Sequence, residues 1–250
     1  MSATSIHLTV AEGKRLIAKA VAALPEVRSA LSKGLVVVCK GSTNAYIVEE
    51  LTGRTIDKAT YLTGNTQPAR GARPLTTERI PELILRDGAP VEGLTAVEAA
   101  AELKRGDVLM KGANALSPDR RMAGVLVGDP TGGTVGKTAG HVIGKGAVQL
   151  IPVGLEKTVA GDLWETAARV NSATAAVGHI PRMWISQGRI ITEVEAFGVL
   201  SGACVTPMGA GGINGAEGAV WLLIEGSEEQ VAQALKIAEE IYGEPPISAQ

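Results

Sequence analysis

A chain of 250 residues, 45% hydrophobic and 20% charged, is long enough to bury a substantial core in one large or two modest domains. Its formal net charge of -2 and its 3% aromatic content argue against a nucleic-acid-binding surface. Because the sequence shows neither a secretion signal nor an apolar run long enough to cross a membrane, we expect a cytoplasmic protein without a membrane partner.

The first quarter of the chain predicts two helices, one buried strand and a third helix. Thr9 caps an apolar-periodic segment that runs to about Leu24, and a short helix follows over residues 26–32. The continuous apolar run at residues 35–39 is typical of a buried parallel strand, and residues 45–51 have a helical pattern.

The next segment is polar and proline-containing. Residues 58–63 predict a strand, and residues 64–90 contain a hairpin that turns at Asp87-Gly88. Long segments of this kind are often functional, so Arg70, Arg73 and Arg79 are candidates for a lid over a ligand.

Strands and helices alternate in the middle of the chain. The pattern predicts a helix capped by Thr95 (96–104), strands at 107–111, 123–127 and 148–153, and helices at 138–146 and 162–176. Such alternation predicts an α/β fold with a mainly parallel, doubly wound sheet that has helices on both faces.

The last 70 residues change in character. Runs at 190–200 and 219–225 are typical of strands, and Ser227 with Gln230 forms a capping box that starts a final amphipathic helix to Tyr242. We therefore predict a ligand-binding α/β core over residues 1–180 and a small C-terminal α+β lobe over residues 181–250.

Three glycine-containing loops follow predicted strands: residues 40–44 (the first loop), 111–114 (the second loop) and 128–137 (the third loop). Main-chain N–H groups at strand ends and helix starts can converge on a phosphate group. We therefore predict that the chain binds a phosphorylated small molecule. The predicted ligand-binding residues are Gly41, Ser42, Thr43, Asn44, Gly112, Asn114, Gly132, Gly133, Thr134 and Thr138.

The order of these motifs resembles that of the ribose-5-phosphate isomerase, glucosamine-6-phosphate deaminase and CoA-transferase superfamily. The strand, Gly-Ser-Thr and helix at residues 35–51 look like its phosphate loop. Residues 107–114 (DVLMKGAN) are similar to the strand and Asp-Gly-Ala-Asp loop of those isomerases and of the related methylthioribose-phosphate isomerases. The similarity covers roughly residues 34–157, and it implies a phosphosugar-like ligand and a homo-oligomer.

The catalytic positions depart from that family. Lys111 and Asn114 stand where the isomerases carry acidic residues, and the glutamate that CoA-transferases use has no counterpart. If the chain catalyses proton-transfer isomerisation, Asp129 is the candidate base, with Lys137 and Lys111 stabilising negative charge. Asp129 is alternatively a turn former before Pro130, and the protein is then a non-catalytic ligand-binding or regulatory protein.

A second class of function comes from residues 131–138 (TGGTVGKT), which resemble the phosphate loop of ATP- and GTP-binding proteins. In that interpretation Lys137 reaches the outer phosphates and Thr138 coordinates magnesium. However, Thr131 replaces the first glycine of that motif.

Other residues leave more than one interpretation open. Glu193 and Glu195 would share one face of the predicted strand at 190–200, where they serve acid–base chemistry or are simply solvated. Cys39 is either a nucleophile or a small packed side chain, and the glycine-rich segment 208–218 predicts a long hairpin loop. The scattered cysteines and histidines indicate no metal site, and the sequence identifies no cofactor.

Overall fold

The structure, a computed structural model, describes residues 1–70, 76–175 and 177–247, and there eight α-helices and twelve strands form a mixed α/β fold. The strands are β1 (Ser2–Leu8), β2 (Leu35–Val38), β3 (Leu83–Arg86), β4 (Ala89–Pro90), β5 (Val108–Met110), β6 (Ala115–Ser117), β7 (Met122–Val127), β8 (Val148–Pro152), β9 (Arg182–Ser186), β10 (Arg189–Ile191), β11 (Cys204–Ala210) and β12 (Val220–Gly226). The helices are α1 (Val10–Ala23), α2 (Pro25–Ser32), α3 (Ser42–Thr52), α4 (Ala96–Ala100), α5 (Gly133–Lys145), α6 (Leu163–Ser172), α7 (Glu193–Ser201) and α8 (Glu228–Ile241).

A mixed six-stranded sheet with the order β10-β8-β5-β2-β3-β4 forms the centre of the molecule. The first four strands of this order are parallel. The β3-β4 hairpin, which turns at Asp87-Gly88 as predicted, adds β3, which is antiparallel to β2, and β4, which is antiparallel to β3. Val36 and Val38 of β2 belong to one apolar cluster, whereas Val37 belongs to another. Because both faces are covered, β2 is apolar at every position instead of alternating.

Two smaller antiparallel sheets complete the fold, with the orders β6-β7-β9 and β1-β12-β11. The strand predicted at residues 123–127 exists within β7, but it pairs outside the six-stranded sheet. The sequence analysis missed β1, which pairs with β12 from Ser2 opposite Gly226 to Leu8 opposite Val220. The N-terminal strand therefore shares a sheet with the C-terminal strands.

Among the described helices, three of the four that begin with a capping box were predicted to start there. Thr9, Thr95 and Ser227 each accept a hydrogen bond from the main chain three residues later, and in each case the residue at that position bonds back to the main chain of the cap. These reciprocal bonds satisfy two main-chain groups that a helix start otherwise leaves unpaired.

Two predicted strands are wrong. Residues 58–61 form a 3₁₀ helix, because the Asp57 side chain accepts a hydrogen bond from Ala59 N at 3.0 Å and bends the chain. Of the predicted strand at 190–200, only the beginning is extended, since Thr192 and Glu195 form a capping box and start α7. In addition, α6 ends at Ser172, before the predicted end at residue 176, which lies outside the described residues.

The largest apolar cluster joins one face of the central sheet to α1, α3 and α7 and continues to α8 and the β1-β12 pair. Tyr46 and Phe197 are fully buried in it. A second cluster covers the opposite face with α4 and α5. In the described part of the chain, none of the helices has both the length and the apolar character needed to cross a bilayer.

Candidate functional site

A cleft of about 540 Å³ lies beside the carboxyl ends of β2 and β5. The first, second and third loops all line it. Its volume lies within the range of pockets that hold small molecules, and its place at the carboxyl ends of parallel strands is where open α/β sheets bind ligands. The structure thus brings together three segments that are up to about a hundred residues apart in the sequence.

The lining contains all but one of the predicted ligand-binding and catalytic residues. These are Gly41, Ser42, Thr43, Asn44, Lys111, Gly112, Asn114, Asp129, Gly132, Gly133, Thr134 and Lys137. Thr138 is the exception, because it is 2% exposed and its hydroxyl donates to the Thr134 carbonyl at 2.8 Å. Its side chain is therefore bonded within α5 and does not line the cleft.

Two helices that begin at the cleft have glycine in place of a side-chain cap. Gly41 precedes α3, and Gly132 precedes α5 with a φ of 86°. A Cβ on Gly132 would lie 2.9 Å from Gly136 Cα, so the turn leaves no room for a side chain. Five other helices have a side chain as cap, namely Thr9, Thr95, Asp162, Thr192 and Ser227. The start of α3 therefore presents main-chain N–H groups that can donate hydrogen bonds to a ligand.

Four lysines line the cleft: Lys40, Lys111, Lys137 and Lys157. Lys111 Nζ donates to the Lys40 carbonyl at 3.4 Å, which links the first and second loops. Asp129 is the one carboxylate among the described lining residues, and its Oδ2 lies 3.6 Å from Lys137 Nζ. The lining therefore has a formal charge of +3 in a chain whose net charge is -2.

Asn44, in the first turn of α3, is fully buried in the cleft wall. Its Nδ2 donates to the Cys39 carbonyl at 2.7 Å and to the Met110 carbonyl at 3.1 Å, and these bonds hold the ends of β2 and β5 together. They also fix the orientation of the amide, because only the nitrogen can donate. Within the described structure the buried Oδ1 has no hydrogen-bond partner.

Asn114 has a connecting role in the same wall. Its Oδ1 accepts from Leu126 N at 3.0 Å, and its Nδ2 donates to the Asn65 carbonyl at 3.4 Å. Asn65 Nδ2 in turn donates to the Leu126 carbonyl at 2.9 Å. The Asn114 amide thus joins three segments of the cleft wall.

Asp129 is held in a tight turn at the start of the third loop. Hydrogen bonds from the Thr131 hydroxyl and main-chain N–H lower its pKa to about 2. Its Oδ1 also accepts a long bond, 3.4 Å, from Gly133 N at the start of α5. Such a low pKa makes this carboxylate a weak base, since base strength falls with the pKa.

Sequence reasoning did not select every lining residue. Lys40 and Lys157 are part of the cleft, as are residues 63–66, which lie at the start of the polar segment 64–90. Lys40 adjoins Gly41, so the glycine motif pointed to its position. Lys157 had no local signal, because only tertiary packing brings it to the cleft.

The described arginines of the proposed lid do not line the cleft. Arg70 is exposed, and Arg79 donates to the carbonyls of Thr76 and Glu78 within its own loop. Arg73 lies outside the described residues.

The two glutamates predicted to share a strand face belong instead to the first turn of α7, and their environments differ. Glu195 bonds to Thr192 in the capping box. Glu193 is 2% exposed and accepts from Leu155 N at 2.9 Å. Burial and the negative charge of Glu156 raise the pKa of Glu193 to about 8, so it is protonated at neutral pH.

Lys14 and Glu156 complete this buried cluster with Glu193. Lys14 Nζ lies 3.5 Å from Glu156 Oε1, and burial lowers the pKa of Lys14. A Cβ on Gly13 would come within 2.5 Å of Glu193 Oε1, so glycine leaves the space that this carboxyl group occupies. The cluster adjoins the cleft through Lys157, whose Nζ is 4.0 Å from Glu156 Oε1.

Cys39 packs in the apolar cluster on the α4 and α5 side of the sheet. Burial raises the pKa of its thiol to about 12, so the thiolate that a nucleophilic role requires is strongly disfavoured. Among the described residues, no three histidine, cysteine or acidic side chains are grouped in a way that could hold a metal ion.

No protein-family model, curated protein or solved structure matches this chain.

Proposed function

We propose that this protein binds a phosphorylated, sugar-like small molecule in the cleft. The observation that carries the proposal is the convergence of four lysines with the glycine-led start of α3. Cationic side chains and free N–H groups at a helix start together favour a phosphate group. The hydroxyl groups of Ser42 and Thr66 in the lining suit a ligand with hydroxyl groups, because each can donate to or accept from a hydroxyl.

The resemblance to sugar-phosphate isomerases supports the same ligand class and a doubly wound core. Four parallel strands and apolar clusters on both faces of the sheet are compatible with that core. Isomerisation is a second candidate function, favoured by the position of Asp129 in the lining. The low pKa of Asp129 argues against isomerisation, so we propose ligand binding as the primary function.

A thermal-shift panel on the purified chain tests the proposal. The panel contains ribose 5-phosphate, glucose 6-phosphate, the two unphosphorylated sugars, and ATP with magnesium. A ligand at about 100 times its dissociation constant adds about 2.7 kcal/mol to the free energy of unfolding, which raises the melting temperature measurably. We expect a shift with the sugar phosphates that the unphosphorylated sugars do not produce.

Matched lysine variants locate the binding site. Lys137→Met and Lys111→Met change the cleft, whereas Lys145→Met changes a lysine at the far end of α5. The first two variants should weaken the thermal shift, and the third should not. If neither sugar phosphate raises the melting temperature, or if the shift is equal in all three variants, binding in this cleft is contradicted. A shift that requires ATP and magnesium supports the nucleotide-binding alternative instead.

A further inference from the structure

The positive charge of the cleft exceeds what one phosphate group neutralises. The described lining residues sum to +3, from four lysines and Asp129. A phosphate monoester carries about -1.5 to -2 at neutral pH. A sugar with a single phosphate group would therefore leave about one positive charge in the cleft unbalanced.

The lysines are also spread along the sheet edge. Lys40, Lys111 and Lys157 follow β2, β5 and β8, which are neighbours in the central sheet. Since neighbouring strands are about 4.8 Å apart, the outer two of these strands are roughly 10 Å apart. Lys137 comes from a different element, α5. This spacing is wider than one phosphate group, and it suits a ligand that is charged at both ends.

The first end of the cleft matches a doubly charged group. Lys40 and Lys111 adjoin the start of α3, and within the described residues neither forms an ion pair. Their two charges and the free N–H groups of α3 complement a phosphate dianion.

The remaining lining charges, from Lys137, Lys157 and Asp129, sum to +1. Asp129 offsets Lys137, whose Nζ is 3.6 Å away. Lys157 is also 4.0 Å from Glu156, but Lys14 is nearer to that carboxylate, at 3.5 Å. The second part of the cleft therefore complements a singly charged group.

We infer that the ligand is a phosphorylated sugar acid, with a phosphate group at the start of α3 beside Lys40 and Lys111 and a carboxylate toward Lys137 and Lys157. The hydroxylated carbon chain lies in the part of the cleft between these two groups. This inference rests on the proposed function and narrows its ligand class.

Matched pairs of ligands, each an aldose phosphate and the phosphorylated aldonic acid with the same number of carbons, test the inference by titration calorimetry. The pairs are glucose 6-phosphate with 6-phosphogluconate, ribose 5-phosphate with 5-phosphoribonate, and glyceraldehyde 3-phosphate with 3-phosphoglycerate. In at least one pair, we expect the acid to bind ten times more tightly or better. Glucose 1,6-bisphosphate should not exceed the best acid, and gluconate without phosphate should bind much more weakly.

Variants separate the two ends of the ligand. In Lys137→Met the acid should bind less than three times more tightly than the aldose phosphate of the same pair. The affinity for that aldose phosphate should change less than twofold. In Lys111→Met both members of the pair should weaken together. Lys145→Met, outside the cleft, should leave both affinities unchanged.

The outcomes distinguish the inference from the proposed function. Equal affinities within every pair, or a bisphosphate that binds ten times more tightly than the best acid, overturn the sugar-acid inference but leave phosphosugar binding intact. Binding of neither member of any pair overturns both. Retention of the full acid advantage in Lys137→Met overturns the placement of the carboxylate.

Discussion

Replacing Glu193 by glutamine should make the protein less sensitive to alkaline pH. The pKa of Glu193 is raised from its ordinary value of 4.5 to about 8, first by burial and then by Glu156. Between these values the folded state holds a proton that the unfolded state has lost, so the free energy of unfolding falls as the pH rises from 4.5 to 8. At 1.36 kcal/mol per pKa unit, the total fall is up to about 5 kcal/mol.

The Glu193→Gln side chain does not ionise, and its amide oxygen still accepts from Leu155 N. The charged groups around it, Glu156 and Lys14, are unchanged. We therefore expect the variant to gain stability relative to the wild type progressively from pH 5 to pH 8, by several kcal/mol in total.

Urea unfolding followed by circular dichroism at pH 5, 6, 7 and 8 measures this difference, provided that the m values of both proteins agree. Glu195→Gln is the matched control, because glutamine preserves the capping box on the same helix. Its stability difference from the wild type should change little with pH. A Glu193→Gln difference that is constant across the four pH values would refute the raised pKa.

Three further substitutions test the cleft and the packing around it. Asn44→Ala removes two buried hydrogen bonds and should lower the free energy of unfolding by about 2–4 kcal/mol, as measured by urea unfolding. A decrease below about 0.5 kcal/mol would contradict the role of these bonds. Gly132→Ala forces a Cβ against Gly136 at a positive φ and should cost about 1–3 kcal/mol, whereas Gly140→Ala in the same helix meets open space and should stabilise by about 0.5–1 kcal/mol. Thermal unfolding compares the two, and equal effects would argue against the tight turn. Arg15→Met removes the shared partner of three carboxylates, two of which keep an ion pair with Lys58, and should cost about 1.5–3 kcal/mol, measured by urea unfolding at neutral pH; a neutral substitution would show that the pairs contribute nothing.

The convergence of the first and second loops was predictable because it follows from a simple property of parallel sheets. Strands β2 and β5 are parallel neighbours, so the segments that follow them emerge at the same edge. The apolar run of β2 and the glycines after it were visible in the sequence. The third loop reaches the cleft by another route, because β7 belongs to the β6-β7-β9 sheet. Its apolar pattern resembles that of a central strand, and the sequence pattern did not distinguish the two sheets.

The helix α7 shows how an apolar run can hide a helix start. The residues around Ile190 and Ile191 are β-branched, which favoured a strand. Thr192 and Glu195, however, have the spacing of a capping box, the same signal that correctly predicted α8. Giving that local signal more weight than the apolar run would have placed Glu193 on a helix. Its burial beside Glu156 still depends on tertiary contacts between elements distant in the sequence.

The buried cluster explains how a chain with a net negative charge maintains a positive cleft. Glu156 adjoins Lys157 in the sequence, and an unopposed Glu156 would cancel the charge that Lys157 contributes to the lining. Lys14, from α1, lies closer to that carboxylate, and the raised pKa of Glu193 keeps the neighbouring carboxyl group neutral at pH 7. Negative charge behind the cleft is thus matched locally, which leaves Lys157 available to a ligand.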